Sequence, residues 1–309
     1  MVTLIQGGYV IGNDGKEHRL VKDGVVVFED DKIVHVGKSY SGSVDERIDA
    51  RGKIVSPGFV NTHCHSFGPL GIGFGCDLSI DRDYRFAFGN PNLVNLPTKD
   101  KIKSPKDSNK DYQIGSTRNP SDKNYQIGSK WCLCSFLKSG VTTIAGYGIG
   151  RESDVELFGE LGARAYLGPF FAGAVYHAGD KGEACQKEWN EEMFRKSLGE
   201  AVGFIEKHDG KYDGRIKGTL FPHEEAVFTN SQLVEIRKVA DEMDCGVQLH
   251  MSARHVDFVE CVQKYKNTPV GRLNDLGVLA PDFIAAHCFE ISGHSASNYP
   301  GDDDLKILA

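Results

Sequence analysis

From Phe59 onward the chain alternates short apolar strands with helical stretches, six times over. FVNTHCH opens the series. SKWCLCSFLKSG then leads into VTTIAGYG, VELFGELG into ARAYLGPFF, and EEMFRKSLGEAVGFIEKH into RIKGTLFP. SQLVEIRKVADEMD leads into CGVQLHMS, and VGRLNDLGV into DFIAAHCF. Such alternation predicts an α/β chain with a parallel sheet and helical crossovers. Polar residues at the strand C-termini suit a TIM-type barrel, whose chemistry lies at that end. A doubly wound sheet is the alternative, but no Gly-rich phosphate fingerprint follows any of these strands.

Residues 1–56 read differently. GGYVIGNDGKE, DGVVVFEDDKIVHVGK and ERIDARGKIVSPG alternate apolar and polar residues between tight turns, which predicts a small antiparallel unit. The polar stretch near 90–130 interrupts the barrel rhythm and carries a near-duplicate, Lys110–Ser116 (KDYQIGS) and Lys123–Ser129 (KNYQIGS). Two copies are too few for a solenoid, so the segment is expected to lengthen a loop near the active-site mouth.

The formal net charge of −7 argues against nucleic acid, which needs a clustered basic face. No apolar run approaches the roughly 20 residues of a membrane span. The N-terminus lacks the basic and apolar regions of a secretory signal, so a cytoplasmic location and eight reduced cysteines are expected. Cys132-x-Cys134 lacks a second pair and reads as core packing on a helix.

The chemistry concentrates in histidines. In Asn61-Thr62-His63-Cys64-His65, at the end of a strand, alternation points both imidazoles inward and Cys64 outward. Two imidazoles on a rigid strand make half of a zinc- or iron-type site. His250 closes the strand Gly246–His250, and His287 closes Phe283–His287. Four histidines at the C-terminal ends of parallel strands would converge on one mouth.

GKIVSPGFVNTHCHS resembles the first barrel strand of the amidohydrolase superfamily, and IDARGK and the strands before it resemble that family's N-terminal β-sandwich piece. GVTTIAGYG, ARAYLGPFF, GVQLHMS and PVGRLNDLGVLAPDFIAAHC are similar to successive barrel segments of the cytosine-deaminase-like and chlorohydrolase-like branch. The resemblance covers the chain apart from the segment at 90–130. It implies an incomplete (β/α)8 barrel of about six units over 57–309, preceded by part of a β-sandwich over 1–56. It also implies His63, His65 and His250 as metal ligands, with His287 near the metal-bound water or substrate. His223, in Phe221-Pro-His-Glu-Glu, matches a substrate-contacting histidine, so His287 and His223 are the expected catalytic pair. The implied cofactor is one divalent metal, zinc first and iron second. The implied reaction is hydrolysis of a non-peptide carbon–nitrogen bond in a small molecule, by water whose pKa the metal lowers to about 7.

Three departures qualify that expectation. Family deaminases carry glutamate three residues after the fifth-strand histidine, where this chain has Ala253, which cannot move a proton. Ser252, His255 and Glu260 are the open substitutes, and amide, urea or carbamate cleavage loses less than ring deamination does. Lys217 falls early in its strand, which favours a mononuclear site. The family's last ligand, an aspartate ending strand eight, has no counterpart before Ala309; Asp302–Asp304 reads as a helix start. The competing reading is therefore a noncatalytic fragment or interaction protein, with open sheet edges suited to pairing or to a homo-oligomer. The pocket-lining candidates are Phe67, Tyr176, His177 and Phe221.

Overall fold

A computed structural model describes residues 1–13, 16–65, 123–177 and 186–309. It forms two units, Met1–Phe59 and Val60–Ala309. Among the described residues no helix is long and apolar enough to cross a membrane.

In the first unit, β1 (Val2–Asn13) pairs antiparallel with β2 (His18–Glu29), and β2 with β3 (Lys32–Gly37). Asp30 takes the left-handed φ of 53° that the tight β2–β3 turn requires. β4 (Glu46–Asp49) and β5 (Ile54–Val55) then run parallel to β1 along its other edge. The unit is therefore mixed and not wholly antiparallel, because residues 38–45 carry the chain back to the far side of β1. Gly7-Gly8 makes this possible. The β1–β2 register slips on both sides of Gly8, and a Cβ there would lie 2.8 Å from the carbonyl oxygens of Ala50 and Lys53. Leu4, Val10 and Val25–Val27 fill this unit's core.

The second unit is a (β/α) barrel arc. Its strands are β6 (Phe59–Cys64), β7 (Val141–Gly146), β8 (Arg164–Leu167), β9 (Phe170–Phe171), β12 (Ile216–Pro222), β13 (Gly246–Met251) and β14 (Phe283–His287). A hairpin, β10 (Ala174–His177) with β11 (Gln186–Trp189), stands outside the wall. The wall runs β6–β7–β8–β12–β13–β14, with β9 also on β12, and the pairings of β12 with β8, β9 and β13, of β7 with β8, and of β13 with β14 are parallel. This is the α/β, TIM-type architecture that the alternation predicts.

The longer described helices are α1 (Lys123–Lys138), α2 (Glu152–Glu160), α3 (Glu191–His208), α4 (Asn230–Met243), α5 (His255–Tyr265) and α6 (Pro269–Asp275), with α7 (Asp303–Leu308) after β14. Two apolar clusters bind them to the sheet. Leu133 and Phe158 pack on Ile144, Leu167 and Ile216. Phe194, Leu198, Leu233 and Ile236 pack on Leu220, Val247, Leu249 and Met251. Along β13 the apolar side chains thus face the helices, which turns the alternate pair Gln248 and His250 inward. α4 starts on a capping box: Gln232 N–H donates to Thr229 Oγ1 at 3.2 Å and Thr229 N–H to Gln232 Oε1 at 3.1 Å.

Two details depart from the sequence reading, and a third, a helix start found where expected, adds to it. The hairpin β10–β11 was not foreseen. The second heptapeptide, expected in a loop, lies in the first turns of α1; the first copy and most of the polar stretch lie outside the described residues. Of the acidic run Asp302–Asp304, Asp304 is buried and does more than begin a helix: it accepts from Thr268 Oγ1 at 2.5 Å and Ser292 N–H at 2.8 Å. All six described cysteines are free thiols. Cys132 is buried and Cys134 exposed, so they do not share a face.

Arg272 on α6 fixes the turn that follows β12. Its buried guanidinium donates to Asn230 Oδ1 (2.9 Å), Glu225 O (3.1 Å) and Phe228 O (2.9 Å). Arg272→Met keeps the stem and strands those acceptors without a donor. Equilibrium urea unfolding is expected to register a loss of about 3 kcal/mol or more; a change below about 0.5 kcal/mol would refute this role.

Candidate metal centre

Strand geometry alone brings the predicted histidines together. His63 stands on β6 and His65 one residue past its end, His250 stands on β13, and His287 ends β14 beside Met251 in the parallel register. One ring nitrogen from each of His63, His65, His250 and His287 lies within 4.8 Å of the other three. The His63 ring centroid is 5.0 Å from those of His65 and His250 and 4.9 Å from that of His287. β6 therefore meets β13 and β14, which requires the sheet to curl.

The donor set fits a divalent metal on two observations. His250 Nε2 and His65 Nε2 are 3.2 Å apart. Two nitrogens of a tetrahedral zinc site, each 2.0–2.1 Å from the ion, are separated by about 3.3 Å. His63 Nε2 is buried with no hydrogen-bond partner among the described residues, while its Nδ1 is 2.7 Å from Gln248 Oε1. The imidazoles are also held neutral, as ligation requires. Burial, reinforced by the neighbouring rings of His63, His287 and His223, pushes His65 down to about 3. Burial first, and then the surrounding histidines, drives His250 far below its usual range.

His223, just past β12, lies beside this quartet. Its ring centroid is 5.8 Å from that of His250 and 5.7 Å from that of Phe170. Burial and then the Arg254 charge lower it to about 3, and Glu224 Oε1 is 3.7 Å from its Nδ1. Lys217 stays outside: half-exposed, it pairs with Asp209 at 3.5 Å. Cys64 faces away from the histidines, with Sγ 3.8 Å from Ala145 O. Phe221 is buried core. Phe67 and the side chains of Tyr176 and His177 lie outside the described residues.

The three substitutes considered for Ala253 have separate surroundings. Ser252 is fully buried with φ 49°, and its N–H donates to Glu225 Oε1 at 3.2 Å. Glu260 holds Lys187 Nζ at 2.6 Å. His255 Nδ1 is 3.3 Å from Glu290 Oε2.

Two residues at the site escaped the sequence reading. Tyr147, after β7, stacks on His250 with centroids 3.9 Å apart, and its hydroxyl donates to His223 O at 2.7 Å. Its signal was an aromatic at a strand C-terminus, in Gly146-Tyr147-Gly148. Gln248 shares His250's face two residues earlier, so the period of two that paired His63 with His65 would have found it.

An α/β barrel arc with imidazoles gathered at its strand C-termini is the architecture of a metal-dependent barrel protein. The amidohydrolase family profile matches residues 54–309, and the chain belongs to that family. It is 28% identical over 305 residues to a protein named 5'-deoxyadenosine deaminase from Methanosarcina barkeri, covering 99% of this chain and 59% of that one. It is 29% identical over 287 residues to 5-methylthioadenosine/S-adenosylhomocysteine deaminase of Thermococcus onnurineus, covering 93% and 58%. The fold matches zinc-complexed atrazine chlorohydrolase of Arthrobacter aurescens with TM-score 0.74 and 19% identity, covering 99% of this chain and 63% of that one. The chain thus spans about three fifths of the length of the curated relatives it matches.

Behind the histidines, burial, Asp257 and Glu224 push the Glu225 carboxyl up from 4.5 to about 8. An acid that holds its proton more tightly when folded stabilises the fold fully below 4.5, and that contribution is lost as pH climbs through about 8. Glu225→Gln is expected to match the parent near pH ~4 and to exceed it in stability above pH ~8. Denaturant midpoints across that interval check this; parallel curves for the two proteins would exclude it.

Proposed function

We propose that the chain carries the metal-binding part of a hydrolase that cleaves a carbon–nitrogen bond in a small molecule, with a planar heteroaromatic amine as substrate class. The observation that carries this reading is the convergence of four neutral imidazoles at the strand C-termini. In this reading His63, His65 and His250 hold one divalent ion, zinc in preference to iron. That ion supplies Lewis acidity and an activated water at neutral pH. His287 handles the proton that the departing nitrogen needs, and His223 orients the substrate.

Two kinds of support favour a planar ring. The relatives at 28% and 29% identity carry the names of deaminases of adenine-containing molecules. Aromatic surface also flanks the histidines: Phe170 packs against Tyr147 and His223, and Phe289, exposed, lies 5.6 Å from the His287 ring. Such faces stack on flat ligands. Ala253 favours a second reading, cleavage of an amide, urea or carbamate, because position 253 offers no group for protonating a ring amine.

Elemental analysis of the purified chain is expected to find one zinc per molecule. His63→Ala and His250→Ala should each reduce zinc affinity by more than the about ten- to hundredfold that a supporting residue costs. Unchanged metal content in both variants would refute the ligand assignment. With zinc supplied, ammonia release from 5'-deoxyadenosine supports the first substrate class, and amine release from an N-aryl urea the second. Neither product would overturn the hydrolase reading while leaving the metal assignment to stand on the zinc data.

A further inference from the structure

We infer that Gln248 is a positioning residue that decides which nitrogen of His63 is offered to the metal. The inference rests on the proposed metal reading only for its consequence; the placement of the proton is a property of the metal-free chain.

A neutral imidazole carries one proton, and only the nitrogen without it can bind a metal. In water the choice between the two tautomers is nearly free, so a ligand that must use Nε2 needs something to hold the proton on Nδ1. Gln248 is fully buried and touches His63 Nδ1 through its amide at 2.7 Å. An amide can present either its oxygen or its NH2 to a neighbour, and the two ends are hard to tell apart by shape. Here a third group settles the matter. The other end of the Gln248 amide lies 2.6 Å from the backbone oxygen of Thr62. A carbonyl oxygen can only accept, so that end must be the NH2 donor.

The rest follows by elimination. With Nε2 of Gln248 committed to Thr62 O, its Oε1 faces His63 and can only accept. Nδ1 of His63 must therefore donate, and its proton is fixed there. The lone pair is left on Nε2, the atom that is buried without a hydrogen-bond partner among the described residues. Backbone carbonyl, amide and imidazole thus form a relay of fixed polarity from β6 to β13 and back to β6. Because the relay is neutral, it sets the tautomer without adding charge to the site. A carboxylate in the place of Gln248 would also accept from Nδ1, but when ionised it would have no donor for Thr62 O.

Nitrogen NMR of the imidazole rings in the metal-free wild-type chain, assigned by comparison with His63→Ala, is expected to show His63 as the Nδ1–H tautomer. Gln248→Met, which keeps length but neither accepts nor donates as an amide does, should give a mixture of both tautomers. It should also weaken zinc binding by about ten- to a hundredfold in titration calorimetry, the usual effect of losing a ligand's hydrogen-bond partner. A merely structural role for Gln248 would lower the melting temperature without changing the tautomer. Finding His63 with its proton on Nε2 in the wild-type chain would overturn the inference, and this measurement decides even if Gln248→Met does not fold. An unchanged tautomer in a folded Gln248→Met, or zinc affinity within about threefold of wild type, would overturn it as well. If the wild-type chain shows the Nδ1–H tautomer but binds no zinc, the metal reading fails and the role of Gln248 survives.

Discussion

Four imidazole rings cannot share a buried strand mouth as cations, and most of the site's construction follows from that constraint. Desolvation and mutual repulsion hold His65 and His250 neutral, so each presents a lone pair. Lone pairs pointed at one another are unfavourable unless protons or a cation lie between them. The 3.2 Å approach of His65 Nε2 to His250 Nε2 is a hydrogen bond when one of the rings carries its proton on Nε2, and a ligand-to-ligand spacing when both lone pairs face a divalent ion. The surrounding scaffold holds the rings at this spacing.

Much of that scaffold lies behind β12 and β13. Glu224 follows His223 and bridges to His250 through a parallel backbone contact. Its carboxylate takes Arg254 Nη2 at 2.9 Å, and Arg254 Nε reaches Asp257 at 2.6 Å. Lys187, on the hairpin strand β11, closes the chain of charges at 3.6 Å from Asp257. Buried ions are costly individually, but here each has a partner of opposite sign, so removing one would strand the next. The segment after β13, which contains Ala253, is tied on one side to the His223 turn and on the other to β14, where Glu290 N–H donates to Ser252 O at 3.1 Å. The loops around the histidines are braced from outside the site.

The sequence revealed the barrel units because each obeys a local rule: apolar runs of strand length, helices with an apolar stripe, turns rich in glycine. The four histidines were legible because they stand at equivalent ends of such runs, and a parallel sheet brings equivalent ends together. What escaped was relational. Nothing local marks Arg272 as the group that holds the turn after β12, since its partners lie 42 to 47 residues away. Tyr147 is an ordinary strand-end aromatic until the sheet curls it under His250. The parallel placement of β4 was missed for a similar reason, because pairing direction depends on where a connection leads. The sequence does carry a turn-type cluster between β10 and β11, Gly179-Asp180-Lys181-Gly182, but the four-residue strands beside it are too short to stand out as a pair.

The substitution at position 253 bears on how the site must manage protons. Departure of a nitrogen requires a proton at the nitrogen, and the donor must reach it. Ala253 offers none. Of the neighbours, Glu260 is committed to Lys187, Ser252 is buried beneath the loop, and His255 faces Glu290. Arg254 is held between two carboxylates and stays charged. On the proposed reading this leaves His287, which is partly exposed at the rim, as the histidine able both to accept a proton from water and to pass it on. Its backbone φ of 77° and that of Cys288 at 48° are unusual for residues with side chains, and they turn the chain sharply as it leaves β14. A strand end bent in this way can hold the ring at the mouth, more exposed than the other three histidines. On the proposed reading, exposure at the rim is what distinguishes His287 from the more buried His63, His65 and His250.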